Sequence, residues 1–305
     1  MPKCIEACIQ NIALKLTSVY ETSHQELQWS VCTQLNDNHG YSVGIMQFTT
    51  GTGSAQQVIS RFEELMGKSG GGNQTSVFAK YSDALKKLED AVRANGGAAQ
   101  GDTTGLTGFC DAWALAAKDA RFRDAQLFVT SKIWQPSQEL ADSFSLMLPV
   151  SRAQIFDSSI QLGLQGTTSL MKQLRDAGAT VDPETDWIEK FLETRYNHLI
   201  ETGGAYAPTV TRVNSYKHIV KAGNFEFDDN AVEALDNDGR AMTVLCDAEV
   251  VEGKIGEITD GDKRGSGNGS PGTKPRKTPT LIFDSSGAVV LVFIFLQVAI
   301  SVLLH

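Results

Sequence analysis

Hydrophobic residues near the start of the chain recur with the period of an α-helix. Ile5, Ile9, Ile12, Leu16 and Val19 are spaced so that they share one face of a helix with about 3.6 residues per turn. Similar patterns follow along the chain and predict helices at 54–66, 77–94, 111–129, 137–148, 150–164, 167–177 and 183–202. The protein is therefore predicted to be mainly helical.

A different pattern occupies residues 33–50. Its second half, GYSVGIMQFTT, contains β-branched and aromatic residues interrupted by glycine, which is typical of a short hairpin or strand. A strand region inserted after the first helix suggests two lobes that flank a groove. We therefore expect a mainly α (α+β) fold with two lobes, a small β-hairpin region and a cleft between the lobes.

The composition changes near residue 250, which predicts three segments. Residues 1–250 have the composition of a globular domain, and residues 251–280 are rich in Gly, Pro, Ser and Lys, as in a flexible linker. Residues 281–305 form a hydrophobic tail long enough to span a bilayer, or to serve as a glycolipid-anchor signal. Such a signal requires a signal peptide, which is not visible at the start. We expect an extracellular or cell-surface protein, with the membrane contacted through the tail.

Charge and cysteine content narrow the possible partners. The formal net charge of -9 argues against a nucleic-acid partner and favours a cationic one. The five cysteines contain no CxxC pair, so a zinc site is not expected. Cys4 and Cys8 are one helical turn apart, which fits a packed face as well as a disulfide. The cysteine pairing is left open.

Three weak motifs fail on inspection. The GTGSAQ stretch at 51–56 lacks the third glycine of a dinucleotide site, and GKS at 67–69 lacks the earlier glycine of a P-loop. The DNDG stretch at 236–239 has the acid spacing of a calcium loop, but Leu245 stands where the last ligand is needed. We expect neither a metal nor a cofactor.

Two acidic residues close together in the sequence are the strongest candidates for chemistry. Glu21 follows the apolar stripe of the first helix, where unpaired carbonyls and the negative end of the helix dipole should raise its pKa. Asp37 lies in a polar turn and should remain ionised. Two carboxyl groups with pKa values pushed apart are what glycosidic cleavage requires. On spacing alone, however, a solvated helix end and an ordinary turn are the better explanation of these two residues.

A second pair of charged residues falls on apolar helix faces. Asp157 lies on the hydrophobic stripe of predicted helix 150–164, and Arg195 lies on that of predicted helix 183–202. A buried charge without a partner costs about 3–5 kcal/mol. We therefore expect Asp157 and Arg195 to meet.

Several segments, in order, resemble the chitosanases of glycoside hydrolase family 46 over residues 4–247. They are YETSHQELQW at 20–29, NDNHGYS at 36–42, GIMQFTTGTGS at 44–54, FLETR at 191–195, TRV at 211–213 and KAGNFEF at 221–227. The resemblance implies a lysozyme-like fold and identifies residues 1–250 as a catalytic domain.

The resemblance also implies roles for individual residues. Glu21 would be the general acid and Asp37 the general base that activates water, while Ser42 would help to hold that water. A buried charge network would support the base and contain Asp157, Arg195 and Arg212. The implied activity is inverting endo-hydrolysis of β-1,4 linkages in a chitosan-like, cationic amino-sugar polysaccharide, by a monomer without a cofactor.

The candidate substrate-binding residues His39, Tyr41 and Ser54 include two departures from the family pattern. Ser54 replaces an acidic residue that binds a substrate amine, and His39 replaces an arginine. A serine can donate or accept a hydrogen bond but supplies no charge. This leaves two alternatives open. One is a lysozyme- or chitinase-like hydrolase of N-acetylated polysaccharide, and the other is a non-catalytic, surface carbohydrate-binding protein.

Overall fold

A computed structural model describes residues 6–22, 24–34, 38–68, 75–204 and 206–247. The helices are α1 (Glu6–Thr22), α2 (Ser54–Lys68), α3 (Ser82–Ala94), α4 (Phe109–Ala116), α5 (Ala120–Ser143), α6 (Pro149–Asp176), α7 (Glu184–Thr202) and α8 (Val210–Lys221). The strands are β1 (Cys32–Gln34), β2 (Tyr41–Val43), β3 (Phe48–Thr49), β4 (Ala231–Leu235) and β5 (Ala241–Leu245). The predicted mainly helical (α+β) fold class is confirmed.

The apolar stripe of the first predicted helix becomes the buried face of α1. Ile12 and Leu16 are fully buried and Val19 is 1% exposed. Fully burying such side chains stabilises a fold by about 1.5–3 kcal/mol each. The helix is thereby fixed along its length, up to the turn that contains Glu21.

Helix boundaries in the middle of the chain differ from those predicted. The predicted helix 111–129 is broken, because Asp119 caps the start of α5 by accepting a hydrogen bond from the Arg121 backbone NH at 2.9 Å. Helix α5 then continues through Pro136, where the sequence pattern placed a boundary. The predicted helices 150–164 and 167–177 form a single kinked element, α6, with Gly163 at a φ of 71°.

The β structure is more extensive than the single small region that the sequence predicted. Strands β1, β2 and β3 form an antiparallel sheet in that order, in which Ser42 lies opposite both Thr33 and Thr49. Strands β4 and β5 form a separate antiparallel hairpin over residues 231–245. The missed hairpin has alternating buried and exposed residues on β4, joined by the turn around Gly239.

The elements pack in two groups connected by α5. Helix α5 packs against α2 on one side and against α6 on the other. The β1–β3 sheet lies with α2 and α4, whereas α1, α7 and α8 pack against α6, and the hairpin packs against α1 and α8. This arrangement places the end of α1 beside α6 and α8, where the candidate acid network lies.

Two disulfides resolve the cysteine pairing that the sequence left open. Cys8 on α1 is bonded to Cys246 just after β5, and Cys32 on β1 is bonded to Cys110 on α4. Cys8 is therefore not paired with Cys4, which lies outside the described residues.

The linker predicted at 251–280 and the tail predicted at 281–305 lie outside the described residues. Among the helices that the structure does describe, none is long and apolar enough to cross a bilayer.

Candidate functional site

Glu21 lies in the last turn of α1 and forms an ion pair with Arg212 of α8. The Glu21 Oε1 and Arg212 Nη1 atoms are 2.9 Å apart, and the two side chains are 12% and 5% exposed. The last turn of α1 contains no basic residue of its own. The cation that faces the negative end of the α1 dipole therefore comes from another helix.

Burial is the main influence on the pKa of Glu21. Removal from water raises the pKa of the Glu21 carboxyl above its usual range, although the positive charge of Arg212 opposes the shift. The expected direction of the shift is therefore correct, but its main cause is burial. A carboxyl group of this kind can hold a proton at a pH where an exposed glutamate would have lost it.

Asp157 of α6 is the centre of the network and is fully buried. It accepts hydrogen bonds from Arg212 Nη2 at 2.8 Å, from Arg195 Nη2 at 2.9 Å and from Thr17 Oγ1 at 3.1 Å. Burial alone would raise the pKa of Asp157, but the two guanidinium groups hold it below its usual range. The structure thus brings together Asp157 and Arg195, which the apolar stripes placed on separate helices.

Arg212 is the link between the two carboxyl groups. One of its terminal nitrogens contacts Glu21 and the other contacts Asp157. Burial would lower the pKa of Arg212, but the two neighbouring carboxyl groups keep it above its usual value, so the guanidinium stays charged. The position of the Glu21 carboxyl at the end of α1 therefore depends, through Arg212, on the position of the buried Asp157.

Aromatic side chains enclose the network. The Arg212 guanidinium lies 5.3 Å from the centre of the Tyr20 ring, and the Tyr20 and Tyr216 rings are 6.3 Å apart. Burial raises the pKa of both tyrosine hydroxyl groups, with Asp157 adding to the effect. Charge interactions are stronger in such surroundings than in water.

Two polar residues of the network were not predicted. Gln161 accepts hydrogen bonds from Arg195 through Oε1 and donates to Thr209 Oγ1 at 2.6 Å. Thr17 is the donor to Asp157 described above. Each lies four residues from a predicted site residue on the same helix, Gln161 after Asp157 and Thr17 before Glu21. That spacing places them on one helix face and could have identified them.

Asp37, the predicted general base, lies outside the described residues. Described residues on either side of it contact one loop, 98–103. Gln34 Nε2 donates to Thr103 Oγ1 at 3.2 Å, while Asn38 Nδ2 donates to the Ala99 carbonyl at 3.1 Å. Asn38 Oδ1 also accepts from the backbone NH of Gly101. Both flanks of the segment are thus fastened to the same loop.

Gly51 allows the backbone of this region to pack closely. Its NH donates to the His39 carbonyl at 2.8 Å, and its carbonyl accepts from the Gln100 NH at 2.9 Å. A Cβ atom at this position would lie 2.3 Å from the Gln100 carbonyl oxygen. Any larger residue would therefore separate the loop 98–103 from the segment that contains His39.

The other predicted residues of the sheet side have different degrees of exposure. Ser42 on β2 is 3% exposed, while Tyr41 is half-buried and its ring stacks on Phe109 with centres 5.6 Å apart. His39 is also half-buried. The Tyr41 ring is therefore partly committed to packing.

Ser54 begins α2 and uses its hydroxyl within the turn before the helix. Its Oγ accepts a hydrogen bond from the Thr49 backbone NH at 2.8 Å and lies 3.1 Å from Thr52 Oγ1. The structure therefore gives Ser54 a local partner in the turn that leads from β3 to α2.

Comparison with known protein families and curated proteins identifies relatives of this chain. The model of glycosyl hydrolase family 46 matches residues 15–230, which include the segments with Glu21, Asp157, Arg195 and Arg212. A chitosanase of Bacillus subtilis (strain 168) is 30% identical over 230 residues, covering 71% of this chain and 78% of that protein. A chitosanase of Streptomyces sp. (strain N174) is 28% identical over 234 residues, covering 72% and 76%.

Solved structures show the same fold. A mutant chitosanase from Bacillus subtilis MY002, in complex with 6 GlcN, superposes with a TM-score of 0.63 at 27% identity. The match covers 79% of this chain and 100% of that one. A family 46 chitosanase from Gynuella sunshinyii, in complex with chitotetraose, gives a TM-score of 0.62 at 22% identity and covers 79% and 99%. This second likeness concerns the fold alone.

Proposed function

The chain belongs to glycosyl hydrolase family 46, and on that premise we propose that it is an inverting endo-hydrolase of β-1,4-linked, chitosan-like polysaccharide. The relatives named above are chitosanases, and one related structure holds a glucosamine oligomer. The observation that supports the proposal most directly is the ion-paired Glu21, whose side chain is 12% exposed and whose carboxyl has a raised pKa.

Glu21 is proposed to protonate the leaving glycosidic oxygen. A general acid must keep its proton at the working pH and release it to the substrate, and the raised pKa of Glu21 fits the first requirement. Arg212 fixes the carboxyl through Oε1, so the proton would be delivered from a defined position. Loss of the proton then restores a carboxylate that Arg212 can stabilise.

Asp37 is proposed to act as the general base that removes a proton from water on the opposite face of the sugar. Inverting enzymes separate the two carboxyl groups by about 6.5–9.5 Å so that this water fits between them. The hydroxyl of Ser42, one residue after Tyr41 on β2, is proposed to help hold the water. His39, Tyr41 and Ser54 are proposed to contact the sugar chain.

The transition state of the reaction is cationic, and so is the substrate. The net charge of -9 favours the approach of a polymer with protonated amines. Within the site, Glu21 and Asp157 are matched by Arg195 and Arg212, so this cluster has no excess negative charge while Glu21 is ionised.

The two disulfides are consistent with a secreted protein. Cys8–Cys246 and Cys32–Cys110 are bonds of the kind that persist in oxidising compartments. We propose that the protein acts outside the cell, as a monomer. Cell fractionation combined with size-exclusion chromatography tests both statements.

The chemical test uses the full chain with highly deacetylated chitosan and records reducing ends and the anomeric form of the fresh products by NMR. Wild type is expected to release α-anomers from β-linkages, while Glu21→Gln and Asp37→Asn lose about 100- to 10,000-fold in kcat, the usual contribution of general acid–base catalysis. Near-wild-type turnover of either variant would contradict the assignment, and retained β-anomers would contradict inversion. Binding without turnover by the wild type would indicate a carbohydrate-binding protein.

A second candidate function concerns the acetylation of the substrate. Ser54 provides no charge for a substrate amine, and its hydroxyl already accepts a hydrogen bond from the Thr49 backbone. A lysozyme- or chitinase-like preference for N-acetylated sugars is therefore the alternative. Cleavage of a chitin oligomer or of peptidoglycan, with chitosan left intact, would favour it.

A further inference from the structure

The β4–β5 hairpin, residues 231–245, lies after the last residue matched by the family model and contacts the end of α1. The contact is made by Asn237, in the turn between the two strands. Its Nδ2 donates to the Val19 carbonyl at 3.2 Å and to the Tyr20 carbonyl at 3.3 Å. Carbonyls in the last turn of a helix have no partner within the helix. Asn237 thus caps the turn that contains Glu21.

Asn237 also contacts the helix that supplies the partner of Glu21. The Thr211 Oγ1 donates to Asn237 Oδ1 at 3.5 Å, and Thr211 directly precedes Arg212. The amide of one side chain therefore joins the residues next to Glu21 with the residue next to Arg212. A shift of either helix end would change the distance between the two charged groups.

The turn holds Asn237 in place through its own hydrogen bonds. Asp236 Oδ1 accepts from the backbone NH groups of Asp238 at 2.9 Å and Arg240 at 2.8 Å. The hairpin is fastened to α8 as well, because Ser215 Oγ accepts from the Leu235 backbone NH at 2.8 Å. The amide of Asn237 is thus presented from a built turn.

The strand ends of the hairpin are tied to the start and the middle of α1. Cys246 forms a disulfide with Cys8 in the first turn of the helix, and Asp247 pairs with Lys15 near its middle at 2.5 Å. The hairpin therefore follows α1 from one end to the other. The hairpin is thus anchored to α1 at both ends, by the disulfide beside its strand ends and by Asn237 in its turn.

We propose that Asn237 is a positioning residue that sets the place of the Glu21 carboxyl relative to Arg212 and to the sugar. The inference rests on the proposed role of Glu21 as the general acid. Asn237 acts through the end of α1 and does not touch the reacting atoms. Through Asn237, the β4–β5 hairpin has a part in the reaction in addition to packing against α1 and α8.

The test compares Asn237→Ala and Asn237→Asp with wild type, using soluble chitosan and the full chain. Aspartate keeps the size of asparagine but places a carboxylate against the two helix carbonyls and removes the NH donors. Asp238→Ala is the matched control, because Asp238 is an exposed neighbour in the same turn and pairs with Arg240. All variants are assayed at a temperature at which circular dichroism shows each to be fully folded.

For both Asn237 variants, kcat is expected to fall about tenfold or more while KM changes by less than about twofold, since a displaced catalytic group costs rate, by about 100-fold for 1 Å. The midpoint of the high-pH limb of kcat is expected to move as well. Asp238→Ala should change neither. A lower melting temperature with unchanged kcat and an unchanged pH limb would reduce Asn237 to a structural cap and overturn the inference.

A second readout is independent of the substrate. Titration of the Glu21 side-chain carboxyl by carbon-13 NMR, assigned with Glu21→Gln, is expected to give a shifted midpoint in Asn237→Ala. An unchanged midpoint together with unchanged kcat would overturn the positioning role. If Glu21→Gln itself keeps wild-type turnover, the proposed function fails and the inference fails with it. If Glu21→Gln is inactive and the Asn237 variants keep the wild-type kcat and pH limb, only the inference fails.

Discussion

Glu21 and Arg212 form a 2.9 Å ion pair between residues that are 191 positions apart in the chain (212 − 21). Arg212 simultaneously binds the fully buried Asp157 at 2.8 Å. The proposed acid is thus held at the partly exposed end of a charge network whose other members are buried. Opposing effects of burial and of the guanidinium charge meet at Glu21, and several of the predictions below depend on that balance.

The pH dependence of turnover should report the raised pKa of Glu21. The reaction requires the protonated carboxyl, so kcat/KM, which reports ionisations of the free enzyme, is expected to fall as pH rises, with a midpoint above the ordinary glutamate value of 4.5. The measurement is kcat/KM against pH on soluble chitosan oligomers. A midpoint at or below 4.5 would mean that Arg212 outweighs burial.

The same shift predicts how stability changes with pH. Because the folded-state pKa of Glu21 lies above its unfolded value, the contribution of this group to folding is fully present below pH 4.5 and is lost as pH rises through the folded pKa. Glu21→Gln, which does not titrate, should remove this part of the dependence. The check is the free energy of unfolding of wild type and variant, measured at intervals from about pH 4 to about pH 8 so that the transition is covered.

Arg195→Ala is expected to lower the free energy of unfolding by about 3–5 kcal/mol, because it leaves the fully buried Asp157 with one guanidinium fewer. Turnover should also decrease, since Arg212 would be drawn toward Asp157. Denaturant unfolding measures the first effect and reducing-end release the second. Arg93→Ala, at a side chain that is 78% exposed, is the control and should change stability by less than about 0.5 kcal/mol. An unchanged melting temperature for Arg195→Ala would contradict the buried network.

Ser54→Asp should restore a charge for a substrate amine while keeping the turn. A carboxylate oxygen can accept the Thr49 NH as the hydroxyl does, and aspartate is favoured at the start of a helix. The ratio of kcat/KM for deacetylated over acetylated oligomers is therefore expected to rise, by about fivefold or more if a charge-assisted bond forms. Ser54→Asn, of the same shape but neutral, should leave the ratio near that of wild type. Equal ratios for both variants would place residue 54 away from the sugar amine.

The two disulfides should differ little in what they add to stability. They close separations of 238 residues for Cys8–Cys246 and 78 for Cys32–Cys110, and loop-closure entropy depends only weakly on length. Replacing either pair by serine is expected to cost about 2–5 kcal/mol. Thermal unfolding of each double variant measures this. If a double variant unfolds at the wild-type temperature, the disulfide that it lacks adds no stability beyond that of the surrounding packing.

Sequence patterns predicted those features that depend on local spacing. The stripe of α1 and the apolar faces with Asp157 and Arg195 follow from the helical period of 3.6 residues, which places residues at that spacing on the same face of one helix. Boundaries were less predictable. The predicted helices leave a gap between residues 129 and 137, but the face of α5 that buries Trp134 and Gln138 continues through Pro136. The cap by Asp119 depends on a side-chain contact that periodicity does not describe.

By itself, then, the sequence determined the helical class, the resemblance to a family and the residue types available for acid–base chemistry. The apolar stripes also predicted that Asp157 and Arg195 meet, but only the tertiary structure decided which other residues contact them. Arg212 lies 55 residues from Asp157, and Asn237 lies 218 from Val19. Contacts at such separations depend on how α1, α6, α8 and the hairpin pack, because a helix face limits where a charge can point but not which distant partner it reaches. The raised pKa of Glu21 has the same origin, since its main cause is burial by those elements.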